Sequence, residues 1–193
     1  MNAPKQRCDW GTRGGDLMAI YHDEEWGVPV HDDRKQFEFL TLESAQAGLS
    51  WLVVLRKREA MRKEFDRFEP AKIARWNAKR IAKALQNPDI IRSPTKIKAM
   101  IGNARVYLDM RDQGLEFSDY LWDFVDGKPI VSRLESWRHV APKTELSERI
   151  SKDMKKRGFK FCGPTIVYAC MQAVGLVNDH EVGCPRFRAV QKL

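Results

Sequence analysis

Apolar residues recur at three- and four-residue spacing along most of this chain, and that period predicts helices. Asp32 or Asp33 opens one of them, with Gln36 three positions after Asp33 in the arrangement of a capping box, and it runs to about Ala47, where Gly48 ends it. A second starts near Ser50, carries Trp51, Leu52, Val53, Val54 and Leu55, and continues through Met61 and Phe65, with Arg56, Lys57, Arg58, Arg62 and Lys63 on its exposed face. Short helices follow from Pro70 and over Ala78–Leu85, and Pro94 sits in the first turn of a long one reaching Met110. Phe117 to Val125, Leu146 to Lys156 and Thr165 to Val174 complete the set. Residues 1–15 and 126–143 read as loop and connection, because Gly and Pro interrupt any period there.

No stretch alternates with the period of two that a strand requires, so the expected fold is all-α, with about eight helices. There is no internal repeat and no low-complexity tract. The expected organisation is a single domain over residues 1–193. A helical middle spans roughly 32–174, and the terminal segments 1–30 and 175–193 pack together as a second lobe.

Composition narrows the functional classes. Hydrophobic residues make up 43% of the 193, enough for a proper core, and no apolar run reaches membrane-spanning length. No signal-peptide pattern opens the chain, so a cytoplasmic protein is expected. In that compartment four cysteines favour metal binding or free thiols over disulfides. A net charge of +8 suits a polyanionic partner, most simply nucleic acid, but equally a basic surface with no such partner.

Four residues near the two ends carry the first chemical signal. Cys8 and His22 stand near the start, His180 and Cys184 near the finish, and together they are a set that fills a closed tetrahedral zinc site. His180 and Cys184, four apart, can face one ion from a single turn. If all four bind, the metal ties the termini together. A catalytic zinc is disfavoured: His22-Asp23-Glu24 has the His-x-Glu of nucleobase deaminases, but the Pro-Cys-x-x-Cys that must follow is missing, as is His-Glu-x-x-His. Cys162 and Cys170 match no metal spacing and read as buried thiols, and His31 and His139 as surface or satisfied side chains.

The second signal is Glu43. Phe39, Leu40 and Ala47 surround it on one helix face, where a carboxylate is costly unless something pairs with it. It is either a structural hydrogen-bonding group or an acceptor awaiting a ligand. The turn that follows, Gln46-Ala47-Gly48-Leu49-Ser50-Trp51, favours the ligand. Gly48 permits close approach of another backbone, Leu49 can wedge into a base stack, and Trp51 can stack on a base. A third signal lies in Lys155 to Thr165, where a basic helix end meets a turn with Gly158 and Gly163 before a new helix begins. The N–H groups of that helix can receive a phosphate, with Lys156, Arg157 and Lys160 adding charge.

These motifs together resemble the bacterial 3-methyladenine DNA glycosylase I family of the helix–hairpin–helix glycosylase superfamily, over nearly the whole chain. The resemblance rests on Tyr21-His22-Asp23-Glu24-Glu25-Trp26-Gly27-Val28-Pro29, Leu42-Glu43, Gln46 to Trp51, Ile101-Gly102-Asn103-Ala104-Arg105, Lys155 to Gly163 and Gly175 to His180. It implies one structural zinc on Cys8, His22, His180 and Cys184. It implies that Glu43 and Tyr21 hydrogen-bond an extruded base, that Trp51 stacks on it and that Trp26 lines the pocket. Gly48 and Leu49 would fill the gap in the duplex, and the turn from Gly158 to Thr165 would grip the DNA backbone. Two positions depart from the family pattern: Met18 stands where a tyrosine is common, and Ser93-Pro94-Thr95 replaces a basic, small-residue run. The expected activity is hydrolytic release of 3-methyladenine from double-stranded alkylated DNA, by a monomer without strand cleavage. The alternative is a zinc-stapled DNA-binding protein without catalysis.

Overall fold

The computed structural model describes residues 7–193; the loop expected over residues 1–15 lies outside that range for residues 1–6. In chain order the helices are α1 (Asp9–Thr12), α2 (Asp16–Glu24), α3 (Asp33–Gln46), α4 (Trp51–Glu64), α5 (Pro70–Ile73), α6 (Ala78–Ala84), α7 (Pro94–Asp112), α8 (Phe117–Trp122), α9 (Glu145–Arg157), α10 (Pro164–Ala173) and α11 (Pro185–Ala189). Two short strands, β1 (Ile130–Val131) and β2 (Val177–Asn178), pair in parallel. The mostly helical expectation holds. The extra elements are α2, nine residues long and not among the expected helices, the short α1 and α11, and a two-residue ladder; all but α2 are too short to leave a period in the sequence.

Helix α3 is the centre. Every residue from Gln36 to Ala45 is buried, and α4, α7, α8 and α10 all pack on it. A helix closed in on all sides belongs to a core, and each of Phe37, Phe39, Leu40 and Leu42 contributes roughly 1.5–3 kcal/mol by leaving water. Its start differs from the expected capping box. Asp32 is the N-cap and accepts from the Lys35 N–H at 2.7 Å. Gln36 instead donates to the Val30 carbonyl, and Asp33 is taken up by the N–H groups of Phe117 and Ser118 at the start of α8 and by the Tyr107 hydroxyl.

A second correction concerns Arg58, expected on the solvent face of α4. It is 5% exposed. Its guanidinium donates to Glu25 just past α2 and to Glu38 of α3, at 2.7–2.9 Å. That buried cation locks α2, α3 and α4 at one angle, and these three helices carry the residues of the site below.

The segment 126–143 is also more than a connection. β1 lies on β2 with Ile130 opposite Val177 and Val131 opposite Asn178, and a bridge joins Leu134 to Glu181. The ladder holds this segment against the C-terminal stretch. Ahead of it, Gly175 takes φ 73°, and an added Cβ would lie 2.5 Å from the Pro29 nitrogen and 2.6 Å from the Val28 carbonyl carbon. Gly175→Ala is expected to destabilise by about 2–4 kcal/mol, from left-handed strain plus overpacking against backbone. Urea unfolding at unchanged m-value measures it, and a loss under about 0.5 kcal/mol would contradict the packing.

Candidate active site and metal-ligand cluster

The last turn of helix α2 carries Tyr21 and His22, adjacent in sequence and both buried. His22 turns to one side, towards the C-terminal segment. Its Nε2 lies 3.6 Å from Cys184 Sγ, Cys8 Sγ lies 3.6 Å from His180 Nδ1, and Cys184 Sγ lies 3.8 Å from His180 Nδ1. All four ligand atoms fall within 4.8 Å of one another, and all four residues are buried. Zinc with Zn–S near 2.3 Å and Zn–N near 2.0–2.1 Å in a tetrahedron gives ligand-to-ligand edges of roughly 3.3–3.8 Å. The four expected ligands therefore meet, with the three thiol–imidazole distances above at or near such an edge and the whole set within 4.8 Å.

The surroundings suit that use. His22 Nδ1 faces Asp23 Oδ1 at 2.8 Å, and His180 Nε2 faces the Trp26 carbonyl at 3.0 Å. Each acceptor holds a proton on the far nitrogen, which leaves His22 Nε2 and His180 Nδ1 with their lone pairs towards the thiols, and the Cys8 backbone N–H also points at His22 Nε2 at 3.4 Å. Asp23 is itself anchored by Arg7, whose guanidinium holds the carboxyl below the usual range. The two thiols are placed unequally. A hydrogen bond with Cys8, joined by bonds from His180 and His22 and opposed by burial, leaves Cys184 with a lowered pKa, whereas Cys8 is raised by that same bond and by burial.

Tyr21 turns to the other side, into a cavity of about 270 Å³. Trp10, Trp26, Trp51, Trp137 and Met18 share its wall, with Gln46, Ala169, Gln172 and Glu43 completing it. The Tyr21 and Trp51 rings lie 5.3 Å apart at 51°, and Trp10 meets Trp26 edge-on at 4.9 Å. Glu43 reaches this cavity from the middle of α3. It is 4% exposed, and no side chain or backbone group among the described residues hydrogen-bonds its carboxyl. Burial pushes that carboxyl up to about 8. Tyr21 is raised too, by burial first and then by the nearby Glu43 charge.

The turn beyond Glu43 is built with care. Lys96 of α7 donates to the Ala45 and Ala47 carbonyls at 2.8 and 2.6 Å, capping the end of α3. Gly48 follows at φ 78°, Leu49 projects at 40% exposure, and Trp51 opens α4. The basic turn lies against the same helix. Gly158 adopts the left-handed conformation after α9. Lys156, Arg157, Lys160 and Thr165 are exposed, and Gly163 caps α10. Asn103 clamps the turn by bonding both the N–H and the carbonyl of Lys160, and the Ser44 hydroxyl donates to the Phe161 carbonyl. The residue after Glu43 thus holds the basic turn in place.

Sequence reasoning missed Trp10, Trp137, Gln46, Ala169 and Gln172 as cavity walls, and Lys96 and Asn103 as supports. Asn103 was within reach, since it sits inside a motif already singled out. Trp137 was not, because it lies in a segment without period.

Comparison with known proteins agrees with this geometry. The family model for methyladenine glycosylase matches residues 10–188. DNA-3-methyladenine glycosylase 1 of Escherichia coli (strain K12) is 48% identical over 179 residues, covering 93% of this chain and 95% of that protein. A crystal structure of 3-methyladenine DNA glycosylase I superposes with a TM-score of 0.90 at 49% identity, over 93% of this chain and 98% of the other. The Staphylococcus aureus 3-methyladenine DNA glycosylase I, solved for its recognition of 3-methyladenine, superposes at 0.88 with 37% identity, over 92% and 94% of the two chains. With a family match over nearly its whole length and relatives at almost half identity, this chain belongs to the methyladenine glycosylase family.

Proposed function

We propose that this chain removes 3-methyladenine from alkylated double-stranded DNA by hydrolysing its N-glycosidic bond. One observation carries the reading: the Glu43 carboxyl is buried, with no hydrogen-bond partner among the described residues, in a cavity walled largely by aromatic rings. An unpaired buried acid is costly, and a site that keeps one is arranged for a ligand that completes it.

The chemistry follows from the substrate. A base inside a duplex is out of reach, so it is turned out of the stack at a cost of a few kcal/mol, least for a damaged base. Adenine methylated at N3 and still joined to its sugar carries a positive charge. It pairs and stacks poorly, and it is already a good leaving group. Tyr21, Trp26 and Trp51 offer ring faces to that cation, and Glu43 offers its carboxylate. As the C1′–N bond breaks, the bonding electrons neutralise the base, water adds to C1′, and its proton passes to solvent. No lysine lines the cavity among the described residues, so no amine competes with water to form a Schiff base, and the strand stays intact.

The rest of the site serves DNA binding. Leu49, exposed beyond Gly48, fills the space the base leaves. The turn from Gly158 to Thr165 acts as the hairpin of a helix–hairpin–helix module, with the first N–H groups of α10 on a phosphate and Lys156, Arg157 and Lys160 around it. Cys8, His22, His180 and Cys184 hold one structural zinc, which would supply a cross-link between the chain ends and no step of the reaction.

Incubation with methylated duplex DNA tests the activity: free 3-methyladenine should appear while the strand remains uncut until heated in alkali. Binding of DNA with no free base would favour a non-catalytic zinc-stapled binder instead. Affinity for undamaged duplex should fall at least tenfold between 50 and 200 mM salt, as expected when about three or more phosphates are contacted. A salt-independent affinity would remove the basic turn from the interface.

A further inference from the structure

We propose that Trp137 is a specificity-determining wall of the base cavity, and that Glu181 is the positioning residue that holds it there from the metal-ligand segment. The inference rests on the glycosylase reading above and adds residues that the motifs leave out.

Trp137 lies in a short 3-10 turn, Trp137–His139, in a stretch with no strand or helix long enough to fix it. Its ring nevertheless lines the cavity that holds Glu43 and Tyr21. It packs 5.4 Å from Trp26 and meets Trp10 edge-on at 6.0 Å. Trp26 and Trp10 are themselves in edge contact, so the three indoles form one layer and none shifts without the others. Trp137 joins this layer in a cavity that Met18 also lines. A tryptophan face is the strongest of the side-chain π surfaces for a cation.

A loop residue can serve this way only if something outside the loop sets its place. The Trp137 backbone N–H donates to Glu181 Oε1 at 2.9 Å. The same stretch is tied once more, by the parallel bridge of Leu134 with Glu181, in which the Val182 N–H donates to the Leu134 carbonyl at 2.8 Å. Glu181 follows His180 directly, and its own N–H points at Cys8 Sγ at 3.3 Å. The wall is therefore registered to the Cys8, His22, His180 and Cys184 cluster through the Glu181 carboxylate. Tyr21 and Trp26 are registered to it as well, Tyr21 as the neighbour of His22 and Trp26 through its carbonyl on His180.

The test measures the dissociation constant of free 3-methyladenine by calorimetry. Alongside it come kcat/KM for 3-methyladenine release from methylated DNA, the melting temperature and the zinc content, for wild type, Trp137→Leu, Trp137→Phe, Glu181→Ala and Glu181→Gln. Trp137→Leu should weaken 3-methyladenine binding by about 5- to 30-fold, with most of the loss in KM. Trp137→Phe should recover most of it. Glu181→Ala should resemble Trp137→Leu with zinc retained, whereas Glu181→Gln keeps an acceptor oxygen and should stay close to wild type. The double variant Glu181→Ala with Trp137→Leu should bind no worse than Trp137→Leu alone. Trp137→Leu with unchanged affinity and KM overturns the proposal, provided wild type releases 3-methyladenine. If wild type releases none, the glycosylase reading fails first. Equal losses from Glu181→Gln and Glu181→Ala overturn the positioning role of Glu181.

Discussion

Glu43→Gln should cut release of 3-methyladenine from methylated DNA by about 10²- to 10³-fold, the range for removing one preorganised electrostatic group from a water-excluded site. Glutamine keeps the shape and an acceptor oxygen and loses only the charge, so a large effect isolates the charge. The group has an unusual resting state. Burial pushes its pKa from 4.5 up to about 8, so in the empty cavity near pH 7 it is mostly protonated. An opposite charge close by favours the ionised form, and a cationic base entering the cavity therefore expels that proton. Wild-type kcat/KM should climb as pH rises towards about 8 and then level, while Glu43→Gln shows no such rise. A flat wild-type profile, or near wild-type release by the variant, would take the charge out of the mechanism.

The same group dictates a stability effect of opposite sense. Its folded pKa is raised, so between about 4.5 and about 8 the folded protein keeps a proton that the unfolded chain has lost. The contribution is at its best below about 4.5, falls across that interval and is gone above about 8, a swing on the order of 3–5 kcal/mol. Glu43→Gln should thus be more stable than wild type at pH 9 while being far less active. Stability given up at a site that gains function is an expected pairing.

Why some of this was legible and some not follows from what each residue is asked to do. α3 announced itself because Phe39, Leu40 and Ala47 lie around Glu43 on one face, and a carboxylate there stands out; Glu38, buried on the same helix, is neutralised by Arg58 instead. The metal-ligand set was readable because thiols and imidazoles at both ends of a chain have few other uses together. Arg58 was misplaced because its partners, Glu25 just past α2 and Glu38 of α3, come from other parts of the chain, and sequence spacing on α4 cannot report them. Asp33 was misassigned for a like reason: its oxygens cap α8, eighty-odd residues away. Trp137 was invisible because its position comes from a two-residue ladder and a single carboxylate contact rather than from a repeating pattern. Local period reveals which faces are buried. It is silent on long-range polar pairing, and that pairing orients the cavity walls.

Loss of the metal should have the largest effect on the fold. Cys184→Ser, or prolonged chelation of the wild-type protein, should release one zinc per chain and lower the melting temperature by about 10 °C or more. A domain near 200 residues shifts by roughly 2–4 °C per kcal/mol, so this asks for only about 4 kcal/mol, well below the gross binding energy of a structural zinc site. The reason lies in what the ion leaves behind. Cys8, His22 and His180 are fully buried and Cys184 nearly so. Without a cation, two imidazole nitrogens and two thiols crowd one another with only weak partners, a thiol on each imidazole and the N–H groups of Cys8 and Glu181, in place of four metal bonds. Because His22 adjoins Tyr21 and His180 holds the Trp26 carbonyl, the damage should spread to the cavity and weaken 3-methyladenine binding in any fraction that remains folded. Metal analysis of the purified native protein, with calorimetric melting before and after chelation, is the direct measurement. A zinc-free native protein that melts at the same temperature as Cys184→Ser would reduce the four residues to ordinary core packing.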